Sequence, residues 1–240
     1  MGSSPTEGTK IKCMDIIKQD CYKGTRILVG NEKSDYLTTV RGYLKTYGFN
    51  EIQIPIIQHQ DLFKNKVGEE NNNLMFNFKD RGSRDICLSP EYTAIIQNLS
   101  KTYYKTTKDV KLFYISECFR GEKPQAGRYR QFTQLGVEII NPSKNYDLPV
   151  LANDLLNLLG HSLWESKKIK DKSEFEKLFT INTDATRGLD YYKEGKGFEI
   201  YCDKLGSSRQ ICGGGEYDGG VGFAIGVDRL MQLIYDNNIS

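Results

Sequence analysis

The sequence predicts an α+β fold, in which helices flank a mostly antiparallel sheet. Strand-like segments occur in runs with helical segments between the runs, and strand and helix do not alternate regularly. The chain has 240 residues, which is long enough to bury a substantial core. Its first residues are rich in Gly, Ser, Thr and Pro. We therefore expect a flexible N-terminal segment over residues 1–22, followed by one domain over residues 23–240.

The first part of the chain predicts two helices and three strands. Apolar residues at helical spacing predict a helix over residues 35–47, which a glycine ends. A strand is expected over residues 51–57, and Pro55 within it indicates a sheet edge or an interface. A hairpin follows over residues 74–88. A proline and an acidic residue then open a helix over residues 90–104.

Two long strands in the middle of the chain carry the most informative pattern. Alternation along the second strand separates an apolar face from a polar face. The polar face carries an aromatic ring, an amide, a gap and a carboxylate, namely Phe132, Gln134, Gly136 and Glu138. Arg120 ends the preceding strand, and the connecting loop carries Arg128 and Arg130. The pattern favours a site for a small polar ligand with a phosphate. A solvent-exposed sheet face is the alternative.

The last part of the chain carries two clusters of glycine. We expect helices over residues 148–164 and 223–235, and strands over residues 198–202 and 209–212 that a Gly-Ser turn joins. Three glycines follow the second of these strands. They indicate either a close approach by a ligand or a flexible turn, and the pattern alone leaves both open.

Composition limits the chemistry that the chain can perform. A net charge of +2 does not by itself indicate a nucleic-acid-binding protein. The six cysteines form no metal-ligand spacing, which favours reduced thiols in an intracellular, cytoplasmic protein without a metal site. The only histidines are His59 and His161, and this scarcity argues against a catalytic triad based on histidine. No apolar run approaches the ~18 residues that span a bilayer, so no membrane partner is expected.

Five blocks together resemble the catalytic core of class II aminoacyl-tRNA synthetases, specifically the histidyl-tRNA synthetase family. Residues 47–55, 119–138 and 222–230 are similar to the three class motifs. The segments Arg187-Gly-Leu-Asp-Tyr-Tyr192 and Gly213-Gly-Gly-Glu-Tyr-Asp218 are similar to the two histidine-family signatures. Five blocks in the right order are a specific match. The resemblance implies a class II catalytic domain that converts histidine and ATP, with Mg²⁺, to histidyl-adenylate and pyrophosphate.

The resemblance also implies a role for individual residues in ATP binding. Arg120 would bind the α-phosphate, Glu122 would accept the adenine amino group, and Phe132 would stack on the adenine ring. Arg229 would lie on the other side of the ring and reach the γ-phosphate, and Arg128 would also bind ATP. The implied catalytic residues are Arg120 and Arg187, of which Arg187 would polarise the α-phosphate during attack.

A second group of residues is implied for histidine. Glu91 and Thr93 would bind the ammonium group. The residues that would surround the rest of the substrate are Gln134, Glu138, Tyr191, Tyr192 and Tyr217. The carboxylate of histidine is already a nucleophile, so the implied reaction requires no general base, and arginines that neutralise charge on the phosphate fit it.

Three departures from the family pattern leave an alternative open. Only 48 residues separate Glu138 from Arg187, too few for the family's insertion domain, and we expect the family's anticodon-binding domain to be absent after Arg229. We therefore expect weak, salt-dependent binding of tRNA(His). The substituted motif positions are Ser89, Tyr92, Thr133 and Glu216. The alternative is a histidine-binding regulatory subunit of ATP phosphoribosyltransferase, but a sensor that does not use ATP has no need of the full set of ATP-binding residues.

The first class motif predicts the assembly of the protein. An edge strand interrupted by Pro55, beside a tyrosine-rich amphipathic helix, is expected to bury its apolar surface against a second copy of the chain. We predict a homodimer. Sedimentation at micromolar concentration should therefore give the mass of two chains, and a monomer under these conditions would contradict the prediction.

Overall fold

A computed structural model describes residues 15–18, 21–63, 73–125, 127–165, 177–183 and 192–235. The described helices are α1 (Glu32–Thr46), α2 (Thr93–Thr102), α3 (Leu148–Glu165) and α4 (Val227–Tyr235). The first six strands are β1 (Asp15–Ile17), β2 (Ile27–Val29), β3 (Asn50–Glu51), β4 (Ile57–His59), β5 (Asn77–Lys79) and β6 (Asp85–Leu88). The remaining strands are β7 (Val110–Phe119), β8 (Gln131–Ile140), β9 (Phe179–Asn182), β10 (Tyr192–Cys202), β11 (Gln210–Tyr217) and β12 (Gly220–Gly226).

A seven-stranded sheet in the order β3-β7-β8-β12-β11-β10-β9 forms the centre of the fold. Among its described strands only β3 pairs in parallel, at the edge beside β7, and the other neighbours are antiparallel. A three-stranded sheet in the order β4-β6-β5 and a two-stranded ribbon of β1 and β2 accompany it. The predicted α+β class with a mostly antiparallel sheet is confirmed.

The two faces of the large sheet have different coverings. Residues of α1, α3 and α4 form the main core together with Leu135, Val137 and Ile139 of β8. The buried Tyr36 of α1 donates its hydroxyl hydrogen to the carbonyl oxygen of Leu155 in α3 at 3.1 Å, which fixes one helix against the other. On the opposite face, α2 and its flanking residues pack over Tyr114 and other residues of β7. The uncovered remainder of that face is where a ligand can enter.

Three expected parts of the chain differ from the structure. The three glycines expected to follow a strand lie within β11, which continues to Tyr217. The strand predicted over residues 51–57 is interrupted between β3 and β4, because Pro55 cannot donate to a strand ladder. Residues 220–226 form β12 between β8 and β11, so the last helix begins only at Val227. The alternation that buries Phe223 and Ile225 in the main core suits a strand as well as a helix start. The other predicted helices and the hairpin are confirmed.

The N-terminal part of the chain includes an ordered ribbon. Of the segment predicted to be flexible, the structure describes residues 15–18 and 21–22, and β1 pairs with β2. The division of the chain at residue 22 stays a prediction. In the described part of the chain, no helix is both long enough and apolar enough to cross a bilayer.

Glycine is required in the middle of β8 by the packing of the sheet. A Cβ atom at Gly136 would lie 2.0 Å from Cζ of Tyr114, well inside contact distance. By contrast, a Cβ atom at Gly42 in α1 would meet nothing within 4 Å. The two glycines therefore serve different purposes, and only Gly136 makes room for another side chain.

We predict opposite effects on stability from alanine at these two positions. Gly136→Ala should lower the free energy of unfolding by about 1–3 kcal/mol, because the buried Tyr114 ring must move. Gly42→Ala should raise it by about 0.5–1 kcal/mol, because alanine restricts the unfolded chain and favours a helix. Urea denaturation of both variants measures the difference, and a shift in the same direction for both would contradict this account of the packing.

Candidate active site

A cleft opens on the uncovered part of the polar sheet face, between the loop before β8, the start of α2 and the start of α4. Nine residues predicted from the sequence line it, namely Glu91, Thr93, Arg120, Glu122, Arg128, Phe132, Gln134, Tyr192 and Arg229. Other side chains that line it were not predicted from the sequence, among them Tyr129, Gln210, Ile211, Cys212 and Asp228. The predicted polar face of β8 is therefore a cleft wall and not a freely solvated surface.

Backbone carbonyl groups hold two arginines in place at the cleft. Arg229 donates from Nε to the carbonyl oxygen of Gly127 at 2.9 Å and from Nη1 to that of Gln210 at 2.7 Å. Arg120 donates from Nε to the carbonyl oxygen of Pro90 at 2.9 Å. These contacts use only part of each guanidinium group. Each arginine is thus oriented while it keeps donors for a ligand.

Positive charge accumulates around Arg229. Burial, and then the nearby guanidinium groups of Arg120 and Arg128, lower the pKa of Arg229 to about 10. Arg128 forms an ion pair with the buried carboxylate of Glu122, and Nη1 of Arg120 lies 4.0 Å from the same carboxylate. The Glu122 carboxylate thus lies beside two of the three cations at this end of the cleft. An anionic ligand placed there would relieve their repulsion.

Phe132 lies beneath one of these cations. The guanidinium carbon of Arg120 is 5.4 Å from the centroid of the Phe132 ring, within the range of a cation–π contact. Next to Phe132 along the same face, Gln134 accepts from the thiol of Cys118 at 3.2 Å. Phe132 and Gln134 therefore lie side by side on one face of β8, as the alternation in the sequence predicted.

Two buried carboxylates occupy the other end of the site. The carboxylate of Glu91 accepts from the backbone N–H groups of Thr93 at 2.7 Å and Ala94 at 3.0 Å, and so caps the N-terminus of α2. Glu138 is 1% exposed and lies deeper than the open cleft. It accepts from the hydroxyl of Tyr217 at 2.6 Å. Carboxyl and hydroxyl groups thus collect at the end of the site that contains the start of α2.

Burial changes the protonation of Glu138. Desolvation is the main cause that raises the pKa of Glu138 from 4.5 to about 8, and the nearby Glu91 raises it further. Hydrogen bonds from Tyr217 and Thr93 act in the opposite direction. At neutral pH the Glu138 carboxyl group is therefore mostly protonated in the free protein. A cationic ligand group beside it would favour the ionised form.

Comparison with known proteins places this cleft in a family. The histidyl-tRNA synthetase model matches residues 31–163, more than half of the chain. A histidine--tRNA ligase of Clostridioides difficile (strain 630) is 31% identical, over 80% of this chain and 68% of the relative. The chain belongs to the histidyl-tRNA synthetase family. Its relatives are ligases of the class II aminoacyl-tRNA synthetase type, as the five sequence blocks predicted.

Further relatives and solved structures agree with this membership. A histidine--tRNA ligase of Methanosarcina acetivorans is 29% identical, over 82% of this chain and 70% of the relative. The crystal structure of apo histidyl-tRNA synthetase from S. aureus has a TM-score of 0.62 at 25% identity, covering 92% of this chain and 71% of that one. An ATP phosphoribosyltransferase regulatory subunit/histidyl-tRNA synthetase from Bacillus halodurans has a TM-score of 0.64 at 16% identity, which shows the shared fold alone.

The alignments also bear on the insertion domain that the histidyl-tRNA synthetase family carries. The match to the C. difficile ligase runs over 288 positions, more than the 240 residues of this chain. The relative therefore has residues inside the matched range that this chain lacks. That difference agrees with the short distance between Glu138 and Arg187 in the sequence. Arg187 and Tyr191 themselves lie outside the described residues, so their predicted roles remain predictions.

An ion-pair network at the wall of the cleft was not predicted from the sequence. The carboxylate of Asp228, 4% exposed, accepts from the guanidinium of Arg26 and from the backbone N–H of Thr133, and Nζ of Lys33 lies 3.3 Å from it. Lys33 also donates to the hydroxyl of Thr133 at 2.5 Å. Thr133, which departs from the usual family residue, is thus part of this network. Because Asp228 precedes Arg229, the network fixes the start of α4 at the cleft.

The raised pKa of Glu138 predicts a particular pH dependence of stability. Between pH 4.5 and about 8 the folded protein holds a proton that the unfolded chain releases. The stabilisation that this bound proton provides is complete below about pH 4.5. It decreases as the pH rises and is lost above about pH 8. We expect the unsubstituted protein to lose stability relative to Glu138→Gln from about pH 5 to pH 8, by up to about 1.4 kcal/mol per pH unit.

Urea denaturation at several pH values measures this difference. Tyr217→Phe provides a second variant, because loss of its hydrogen bond should raise the pKa of Glu138 further and extend the pH-dependent range upward. Parallel pH profiles for the unsubstituted protein and Glu138→Gln would show that Glu138 does not hold the proton.

Proposed function

We propose that the protein activates histidine with ATP and forms histidyl-adenylate and pyrophosphate. The observation that carries the proposal is the convergence of Arg120, Arg128 and Arg229 on one cleft whose opposite end contains buried carboxyl groups. The arginine end suits a triphosphate, and the carboxyl end suits an amino acid with a cationic group. The two substrates would therefore meet where the ends of the cleft join.

The proposed chemistry needs positioning and charge neutralisation, and no basic side chain. A carboxylate oxygen of histidine attacks the α-phosphorus of ATP, a new O–P bond forms, and the bond to the departing pyrophosphate breaks. Negative charge increases on the phosphate oxygens during this step, and oriented guanidinium donors stabilise it. Arg120, held by the Pro90 carbonyl, is the described residue proposed for the α-phosphate. Arg187 is proposed for the same oxygens on the family resemblance.

The adenine is proposed to bind to protein side chains, and the metal ion is proposed to bind with the phosphates of ATP. Phe132 would stack on the adenine, and Glu122 would accept from its amino group once ATP competes for Arg128. Among the described residues, no three His, Cys, Asp or Glu side chains are grouped as a metal site. Mg²⁺ is a hard cation that prefers oxygen ligands and would come with the phosphates of ATP, where it would neutralise part of their charge.

Histidine would bind at the carboxyl end of the cleft. Glu91, whose carboxylate accepts from backbone N–H groups at the start of α2, is proposed with Thr93 for the ammonium group. The groups proposed to surround the remainder of the substrate are Gln134, Glu138, Tyr191, Tyr192 and Tyr217. An amide, a carboxyl group and phenols suit an imidazole, which has one donor and one acceptor nitrogen in its neutral form.

Transfer to tRNA(His), a homodimer and a cytoplasmic location belong to the same proposal. They are supported by the membership in the histidyl-tRNA synthetase family and by the named activity of its relatives. The regulatory-subunit alternative is less well supported, because its structural match shows the fold alone. The clustered arginines also have no evident use in a protein that binds only histidine.

Pyrophosphate exchange tests the proposed activity directly. Purified protein with ATP, Mg²⁺ and histidine should incorporate labelled pyrophosphate into ATP, and omission of histidine should abolish the incorporation. Arg120→Ala should reduce the rate by about 100-fold or more, because a donor to the developing charge is lost. The control is Arg84→Ala, which removes an exposed arginine paired with Asp80 and should leave the rate unchanged. Histidine binding without any exchange would instead favour the regulatory alternative.

A further inference from the structure

Tyr114 lies at the centre of the sheet, beneath the amino-acid end of the site. It is fully buried in β7 and pairs with Gly136 of β8. A Cβ atom at Gly136 would be 2.3 Å from the hydroxyl oxygen of Tyr114. The phenol therefore lies over Gly136, on the face that carries Gln134 two residues before and Glu138 two residues after. Its ring occupies the space that a side chain on β8 would otherwise fill.

The hydroxyl group of Tyr114 has no hydrogen-bond partner among the described residues, although it is buried. Most buried polar groups in proteins are hydrogen-bonded, so an unpaired hydroxyl at this place requires an explanation. Burial raises the pKa of Tyr114 well above its usual value, and the nearby groups that raise it further include Glu138, Glu91 and Tyr192. These three residues belong to the proposed histidine site. The unpaired hydroxyl is thus close to that site.

The hydroxyl groups of three other buried tyrosines in the described part of the chain have hydrogen-bond partners within the protein. Tyr92, whose ring centroid is 5.0 Å from that of Tyr114, donates to the carbonyl oxygen of Glu117 at 2.7 Å. Tyr217 donates to Glu138 at 2.6 Å, and Tyr36 to the carbonyl oxygen of Leu155 at 3.1 Å. The fold therefore provides partners for phenols at comparable depth. Tyr114 differs from them because its hydroxyl has no such partner among the described residues.

We propose that the hydroxyl of Tyr114 binds the side chain of the amino-acid substrate through a hydrogen bond. For histidine the partner is an imidazole nitrogen, to which a phenol can donate or from which it can accept. This inference rests on the proposed histidine site and adds to it a residue that sets specificity. A substrate without a polar atom at this depth would leave the hydroxyl unpaired, and the site would discriminate against it.

Tyr114→Phe removes the hydroxyl and keeps the ring, so it tests the proposal with little change in packing. In the free protein an unpaired buried hydroxyl is destabilising, and its removal should raise the melting temperature. In the complex the hydroxyl is paired, and its removal should raise the Kd for histidine roughly tenfold. The Kd for ATP should not change. Calorimetric titration with histidine and with ATP separately, together with thermal denaturation, measures all three quantities.

Tyr92→Phe is the matched control, because it removes a buried hydroxyl that the protein already satisfies. It should lower the melting temperature and leave the Kd for histidine within about twofold. An unchanged Kd for histidine in Tyr114→Phe, or a lower melting temperature of that variant, would overturn the inference while the proposed function stands. Failure of the unsubstituted protein to bind histidine would overturn the proposed function, and this inference with it.

Discussion

The pairing of β8 with a neighbour on each side is the constraint on which the site depends. Its residues pair with β7 on one side and β12 on the other. Because side chains alternate between the two faces of a strand, a slip of one residue would exchange the core and the cleft. Leu135, Val137 and Ile139 would then face the substrates, and Glu138 would enter the apolar core. The burial of the apolar side chains of β8 therefore fixes the orientation of its polar side chains without any contact to a ligand.

The arginines illustrate how the fold keeps a charged site open. Arg120 and Arg229 bond to backbone carbonyl oxygens, which orient the guanidinium groups without neutralising their charge. Side-chain carboxylates in the same places would bind the arginines more strongly and compete with a phosphate ligand. Burial lowers the pKa of Arg229, and repulsion from Arg120 and Arg128, which persists in the free protein, lowers it further. The cleft is thus preorganised for an anion at some cost to the stability of the free protein.

Local patterns were sufficient to predict the sheet and most of the site. The alternation in β8 predicted that Phe132 and Gln134 share the face that lines the cleft, since that pattern depends only on neighbours in the sequence, but it did not predict that Glu138 is buried below the open cleft. The start of the last helix was wrong because residues 220–226 are small and apolar, and only their pairing with β8 and β11 makes them a strand. The network at Asp228 and the unpaired hydroxyl of Tyr114 could not be found in this way. Each depends on residues that are distant along the chain.

The Arg26–Asp228 pair has a consequence for the synthesis of the protein. Arg26 and Asp228 are 202 positions apart, and Lys33 pairs with the same carboxylate. A nascent chain emerges from the ribosome with Arg26 first, so its basic groups lack their counter-ion until α4 has left the exit tunnel. Contacts with such large sequence separation form late and slow down folding. The cleft therefore cannot be completed before α4 has been synthesised and has folded against the first part of the chain.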